Sequence, residues 1–300
     1  MTETTDCTGR PQRTESHAPS HTTPGAGADP AAVTLASMTE AHLNAAHALS
    51  KAAGWPHRRE DWANALALSQ GVVALCGGAV VGTGMCTRFD GRARLSLIIV
   101  AAQMRGRGLG RRIVTELIAC GGELPMSLTA TQDGYPLYRK LGFETATGVA
   151  QYQGILRTPG PAPQHPDIRP VAAGEMGAIF DMDRRATGTG RAALLKALAA
   201  RGQFWRADAG YICRVPFGRG LVLGPLVAAD LATAQALLAT AAAGCAGAFL
   251  RVDTNPALGM VPMLTAHGLR KVDEGRVMHR GAAPLTQGMT AFALASQAYG

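Results

Sequence analysis

The stretch 97–112 constrains this chain more than any other. It opens with four apolar residues, Leu97, Ile98, Ile99 and Val100. A continuous apolar run of that length reads as a strand buried on both faces. Gly106, Gly108 and Gly110 follow, interleaved with Arg105, Arg107, Arg111 and Arg112. Leu109, Ile113 and Leu117, with Val114 and Ile118 beside them, then recur at helical spacing, while Arg111, Arg112, Thr115 and Glu116 take the other face. The segment is a buried strand, a glycine-rich turn and a helix. Glycines admit positive φ and let a ligand approach the backbone closely. Unpaired N–H groups at a helix start favour an anion, and the arginines add fixed positive charge. Together these residues make a cradle for a pyrophosphate. No Gly-Lys-Ser/Thr ending is present, so it is not a P-loop. The spacing is GxGxG rather than GxGxxG, so it is not the dinucleotide fingerprint.

The chain has 300 residues, enough for two domains that each bury a core. Residues 1–32, rich in Thr, Pro, Gly, Ser and His, are expected to be a disordered tail. Residues 158–166 contain four prolines and read as a semi-rigid linker. Folded units are therefore expected over 33–157 and 167–281, with a C-terminal segment, 282–300, whose residues 289–299 are a candidate docked helix. The first unit reads as strand, two helices, a hairpin about Gly77 and Gly78, the strand ending at Val100, the glycine turn and helix, a strand over 127–130, a helix over 136–141 and a closing strand. The second repeats this order loosely.

Downstream of the cradle come Ser127, Leu128, Thr129 and Ala130, then Gly134-Tyr-Pro-Leu-Tyr-Arg-Lys-Leu-Gly-Phe143. With Gln103, Arg105, Gly106, Gly108 and Gly110, these residues resemble the GNAT acetyltransferase superfamily. Its acyl-CoA loop follows the pattern Arg/Gln-x-x-Gly-x-Gly/Ala, and its next helix carries LYxxxGF. The resemblance covers about 33–157. It implies an α/β fold: tandem GNAT units, each a mixed, mostly antiparallel twisted sheet flanked by helices, with a splayed strand pair at the acyl-CoA site. It also implies acetyl-CoA as co-substrate. Ile98, Ile99 and Val100 would pair with its pantetheine arm, and Arg105, Gly106, Arg107, Gly108, Leu109, Gly110 and Arg111 would hold its pyrophosphate.

Tyr138 matches the tyrosine often assigned as general acid in that superfamily. A phenol titrates near 10 and a thiol near 8.5, so the phenol is protonated at neutral pH and can hydrogen-bond or protonate the leaving sulfur. An alkaline limb near pH 10 is the expected signature. Tyr135, three residues earlier, is a weaker candidate for the same role. The strand before the cradle carries no Asp, Glu or His where many family members have a carboxylate. Asp90, Asp133 and His57 are the candidates left for the base, and Trp55, Pro56, His57 and Arg58 sit where the family binds its acceptor.

The second unit resembles a degenerate copy. Its corresponding loop, 223–230, carries Pro225 and no arginine, so a single acyl-CoA site is expected. Asp181, Asp183 and Arg191 are candidates for its cleft. The six cysteines have no CxxC spacing and the eight histidines no ligand spacing, so no metal or disulfide framework is expected. Residues 231–250 carry no charge but are mostly Ala, which reads as a helix and strand rather than a membrane span. A net charge of +8 spread over 300 residues with 5% aromatics argues against nucleic acid. The expected protein is a cytoplasmic acetyl-CoA-dependent N-acetyltransferase. Its acceptor is a small-molecule or peptide amine, and it has no membrane or nucleic-acid partner. A non-catalytic acyl-CoA-binding sensor or regulatory protein is the alternative.

Overall fold

The computed structural model describes residues 33–157 and 167–300; the expected tail and linker lie outside these. The first half runs β1 (Thr34–Ser37), α1 (Leu43–Ala52), α2 (Arg59–Leu66), β2 (Gln70–Cys76), β3 (Ala79–Phe89), β4 (Arg92–Val100), α3 (Leu109–Gly121), β5 (Met126–Ala130), α4 (Tyr135–Lys140) and β6 (Glu144–Ile155). The second half repeats it as β7 (Arg169–Pro170), α5 (Met176–Thr187), α6 (Ala192–Ala199), β8 (Gln203–Ala207), β9 (Gly210–Phe217), β10 (Gly220–Ala228), α7 (Leu231–Ala242), β11 (Phe249–Thr254), α8 (Val261–Ala266) and β12 (Arg270–Arg280). A last strand, β13 (Thr290–Ala293), has no counterpart in the first half.

All these strands join one sheet, in the order β1-β2-β3-β4-β5-β12-β6-β11-β10-β9-β8-β7, with β13 on β10. The order is nearly a palindrome, and its centre is exchanged. β12 belongs to the second half yet pairs β5 of the first, from Arg276 opposite Ala130 to Arg280 opposite Met126. β6 pairs β11 of the second half, from Phe249 opposite Ile155 to Thr254 opposite Ala150. β6 and β12 pair with each other, closing the seam.

The helices cover the sheet as their apolar faces dictate. α3 buries Leu109, Ile113, Val114 and Leu117, and it sits close because β3 carries glycines there. A Cβ on Gly82 would lie 2.7 Å from Ile113 Cδ1, and one on Gly84 2.6 Å from Leu117 Cδ1. These two glycines make room for a helix; they do not form a loop motif. A second core fills the space between the halves. It joins Leu43, Trp62 and Met85 to Ile179, Leu195 and Tyr211. Truncating such a side chain to Ala costs ~2–5 kcal/mol.

Two expectations are corrected. The segment 289–299 is not a docked helix: it enters as β13 and ends in turns. Main-chain bonds account for this, with Leu226, Val227 and Ala228 of β10 opposite Ala293, Ala291 and Thr290. Helical propensity of an Ala-rich stretch yields to an unpaired strand edge. Asp183 is not a cleft group: it is buried together with Arg191, and of the two only Arg191 lines a cavity. They form a buried bidentate pair (3.0 and 2.7 Å), and Tyr211 donates its hydroxyl to the same carboxylate.

The halves are also clamped at Asp61. Its buried carboxylate accepts from the Arg58 backbone N–H (2.9 Å) and guanidinium (2.8 Å), and from Gly218 N–H (3.0 Å) of the second half. Burial alone would raise its pKa. The bonds from Arg58 and Gly218 outweigh that and hold it below the ordinary carboxylate value. A depressed carboxylate stabilises above its unfolded pKa of ~3.9, and that contribution is lost as pH falls through the folded value. Asp61→Asn should therefore cost roughly 1–3 kcal/mol at pH 7, and the difference from wild type should vanish in strong acid. Urea unfolding at neutral pH and again in strong acid, below the folded pKa, measures both; a difference independent of pH would remove Asp61 as the titrating clamp.

Candidate active site

β4 and β5 run parallel, but their ladder holds only Ala93 opposite Met126 and Arg94 opposite Ser127. Beyond it the strands part. On its other side β4 stays paired, with Ile99 opposite Thr83 and Val100 opposite Gly82, after a register shift beside Gly84. The shift centres on Leu97, whose φ is +51°, and Thr83 Oγ1 donates to the Leu97 carbonyl at 3.0 Å. A non-glycine residue held there stores ~1–3 kcal/mol of strain. It turns the β4 edge toward the opening, where Ile98 lines a cavity.

The cradle lies at the end of β4. Gly106 and Gly108 take φ of +74° and +76°, and a Cβ on either would meet nothing within 4 Å. Gly108 is the N-cap of α3 and supplies no side-chain cap, so the first amides of the helix face out. Arg105, Arg107 and Arg111 are exposed around them. Arg105 Nε donates to the Val100 carbonyl at 3.3 Å, and Arg112 Nη2 donates to the Val33 carbonyl at 2.7 Å. Leu109 is buried, so only its backbone faces this surface. Gly110 differs from the other two glycines: its Cβ would lie 3.4 Å from Leu137 Cδ2, packing α3 on α4. The open space, outward amides and guanidinium groups fit a pyrophosphate.

The cavity, of about 360 Å³, lies where β4 and β5 part. Trp55, Pro56 and His57 line it from the loop before α2, and Tyr138 from α4. The second half contributes Arg219, Arg251 and Asp273, and the C-terminal segment Ser296, Gln297 and Ala298. Tyr138 is 7% exposed, and its ring meets Phe143 edge-on at 6.2 Å. Burial pushes its phenol up to about 12. The alkaline limb expected near pH 10 therefore moves out of that range.

The other candidates sort clearly. Tyr135 does not line the cavity; its hydroxyl meets Thr145 and its ring lies 4.6 Å under the Arg276 guanidinium. Asp90 is bound to Arg184 at 2.7 Å across the halves, and Asp133 is exposed in the turn before α4. His57 does reach the cavity. It is packed between Trp55, Trp62 and Phe217, its Nδ1 is buried without a partner, and burial, with Arg251, lowers it to about 4. Asp273 is the carboxylate of the cavity wall and was not singled out from sequence, because it arrives on the exchanged strand β12.

The second half has no such opening. β10 and β11 also pair for only two positions, Leu221 opposite Leu250 and Val222 opposite Arg251. There β13 fills the gap. Residues 223–228, expected as a loop, continue β10 as a strand. The start of α7 is closed by Asp230, whose carboxylate accepts from Thr233 N–H at 2.8 Å and repels phosphate.

Comparison with known proteins agrees with this geometry. Two family profiles, each described as an acetyltransferase (GNAT) domain, match residues 67–145 and 179–292. The chain belongs to the tandem GNAT acetyltransferases. This acetyltransferase is 28% identical over 280 residues to the uncharacterized N-acetyltransferase YitH of Bacillus subtilis, covering 89% of this chain and 98% of that one. Its fold is similar to a candidate acetyltransferase of Pyrococcus horikoshii (TM-score 0.77, 18% identity, 90% and 96% coverage). It is also similar to a tandem GNAT protein from the clavulanic acid biosynthesis pathway (TM-score 0.57, 14% identity, 82% and 98% coverage). Among the described residues of the enzyme, no helix is long and apolar enough to cross a membrane. Among the described residues, no group of three or more His, Cys, Asp and Glu could hold a metal.

Gly108→Val in this acetyltransferase should fill the space at the cradle and weaken acetyl-CoA binding by at least ~10-fold in calorimetry. Gly78→Val is the control: its φ is also positive (+81°) and its Cβ would meet nothing within 4 Å, in the β2–β3 turn away from the cradle. Equal losses in both would mean that strain, not blocked access, weakens binding. Gly224→Val is unsuitable as a control, since its Cβ would collide with the Leu294 carbonyl.

Proposed function

We propose that the enzyme transfers an acetyl group from acetyl-CoA to a primary amine, by direct attack within a ternary complex. The observation that carries this reading is a phenol held protonated in a cavity beside the open edge of β4. The cradle residues 105–111 bind the pyrophosphate, and Ile98–Val100 offer strand-edge groups to the pantetheine arm. That places the acetyl group at the cavity. Tyr138 donates a hydrogen bond to the sulfur as the C–S bond breaks; the nitrogen, cationic after attack, releases its proton to solvent, and the departing thiolate takes one up from solvent. With a pKa of about 12, the phenol reaches the transition state fully protonated at any working pH.

The amine side has a different requirement. His57 is a poor proton acceptor: moving a proton from an alkylammonium near 10 to a ring near 4 climbs ~8 kcal/mol. The amine therefore enters as the free base, its proton lost to solvent beforehand. Asp273 accepts a hydrogen bond from it and orients it, and the Trp55 ring and the second-half residues wall the cavity against water.

Two measurements test the proposal. Tyr138→Phe keeps the ring and removes the donor, so kcat should fall ~10²-fold or more while acetyl-CoA binding barely moves. An unchanged kcat would assign the tyrosine to packing. In the wild type, kcat/KM should rise with slope one up to the acceptor's own pKa, with no downward bend below about pH 11. Exchanging the acceptor for an amine of lower pKa should shift that limb by the same amount; a limb fixed across acceptors would belong to an enzyme base instead.

A further inference from the structure

A second cavity of about 290 Å³ lies in the same cleft, on the other side of the C-terminal segment. Ser296, Gln297 and Ala298 face the first cavity; Leu294, Tyr299 and Gly300 face the second. Arg94 holds the partition, donating to the Gln297 and Ala298 carbonyls at 2.8 and 3.1 Å.

The charges lining this second cavity do not balance. Arg191 is paired with Asp183 and also donates to the Gly300 oxygen at 2.6 Å. Asp253 is paired bidentately with Arg251, at 2.9 and 2.6 Å. Arg94 has no carboxylate among the described residues, and burial with Arg191 lowers it to about 9, but its N–H groups are filled by the partition and by the Ser127 and Thr129 hydroxyls. That leaves Arg92. It is only 9% exposed, its Nη2 is buried without a partner, and no carboxylate of the described residues is bound to it. Burial is the cause of its lowered pKa, with no neighbouring acid to raise it. His279 beside it is lowered to about 4, first by burial and then by Arg92 and Arg94; an imidazole is neutral or cationic, so it supplies no counter-charge. An unpaired buried guanidinium is costly, and its planar fork matches a carboxylate. The remaining walls are largely apolar, among them Val149, Val277, Leu258 and Phe292, with Thr187 and Asn255 as polar points. A bare inorganic ion would leave those walls facing water.

We infer that this cavity is a binding site for a small organic carboxylate, with its carboxylate on Arg92 and its short apolar body against Val149, Val277 and Phe292. The site is separate from the acetyl-transfer cavity, and the inference does not depend on the proposed reaction.

Hexanoate is a suitable probe, with inorganic phosphate and hexan-1-ol as comparisons, on the full chain. Calorimetric titration should show hexanoate binding to the wild type, with phosphate and the alcohol each at least ~10-fold weaker. Arg92→Gln should weaken hexanoate by ~10-fold or more, and Arg92→Lys should weaken it less. Because the variant removes an unpartnered buried charge, its melting temperature without ligand should equal or exceed that of the wild type. No wild-type binding, or equal binding by Arg92→Gln, overturns the site. Phosphate binding as tight as hexanoate overturns the carboxylate assignment. A marked fall in the melting temperature of Arg92→Gln would show that Arg92 is already partnered, and overturns the premise.

Discussion

The antiparallel ladder between β6 and β12 is the constraint on which the molecule depends. Each strand leaves the half that encodes it and completes the other, so neither half has a closed sheet alone. The exchange also sets the composition of the cavity beside β4. β12 carries Asp273 to a site whose cradle and phenol come from the first half. The interdomain core and the Asp61 clamp then fix the angle at which the second half walls the cleft. The tandem arrangement is one continuous sheet shared by two repeats.

Within that frame, function follows from where a parallel ladder stops. β4 and β5 share two paired positions and then diverge, helped by the strained Leu97 and by glycines that let α3 press against β3. The divergence leaves one strand edge without a partner and opens a space beside it. An extended ligand with amide groups satisfies such an edge as a strand would. In the proposed reading the cradle at the end of the same strand would fix the charged end of that ligand, so a single strand would define both its direction and its register.

Local features of this arrangement were legible in the sequence. The order of elements and the glycine turn between β4 and α3 are written in runs of ten to fifteen residues, where spacing and residue type decide the outcome. The exchange was not legible. β12, Arg270–Arg280, alternates in the same way whichever neighbour it pairs with, and strand pairing across more than a hundred residues leaves no local mark. The segment 289–299 was misread as helical for a related reason: its alanines favour a helix, but the free edge of β10 decided its conformation. His57 was named as a candidate base, yet only its packing between three aromatic rings reveals that it stays neutral.

β13 has a consequence for how the two repeats diverged. It occupies, in the second half, the gap that stays open in the first, and it is tethered to the sheet it fills. A tethered segment competes at an effective concentration in the millimolar range for a short flexible connection. A diffusing ligand present at micromolar levels would be outcompeted about a thousandfold before any difference in contacts is considered. Restoring arginines to the turn before α7 would therefore not recreate a second nucleotide site. The plug is the deeper change, because it converts a binding slot into an intramolecular lock and leaves its lost charges free to drift.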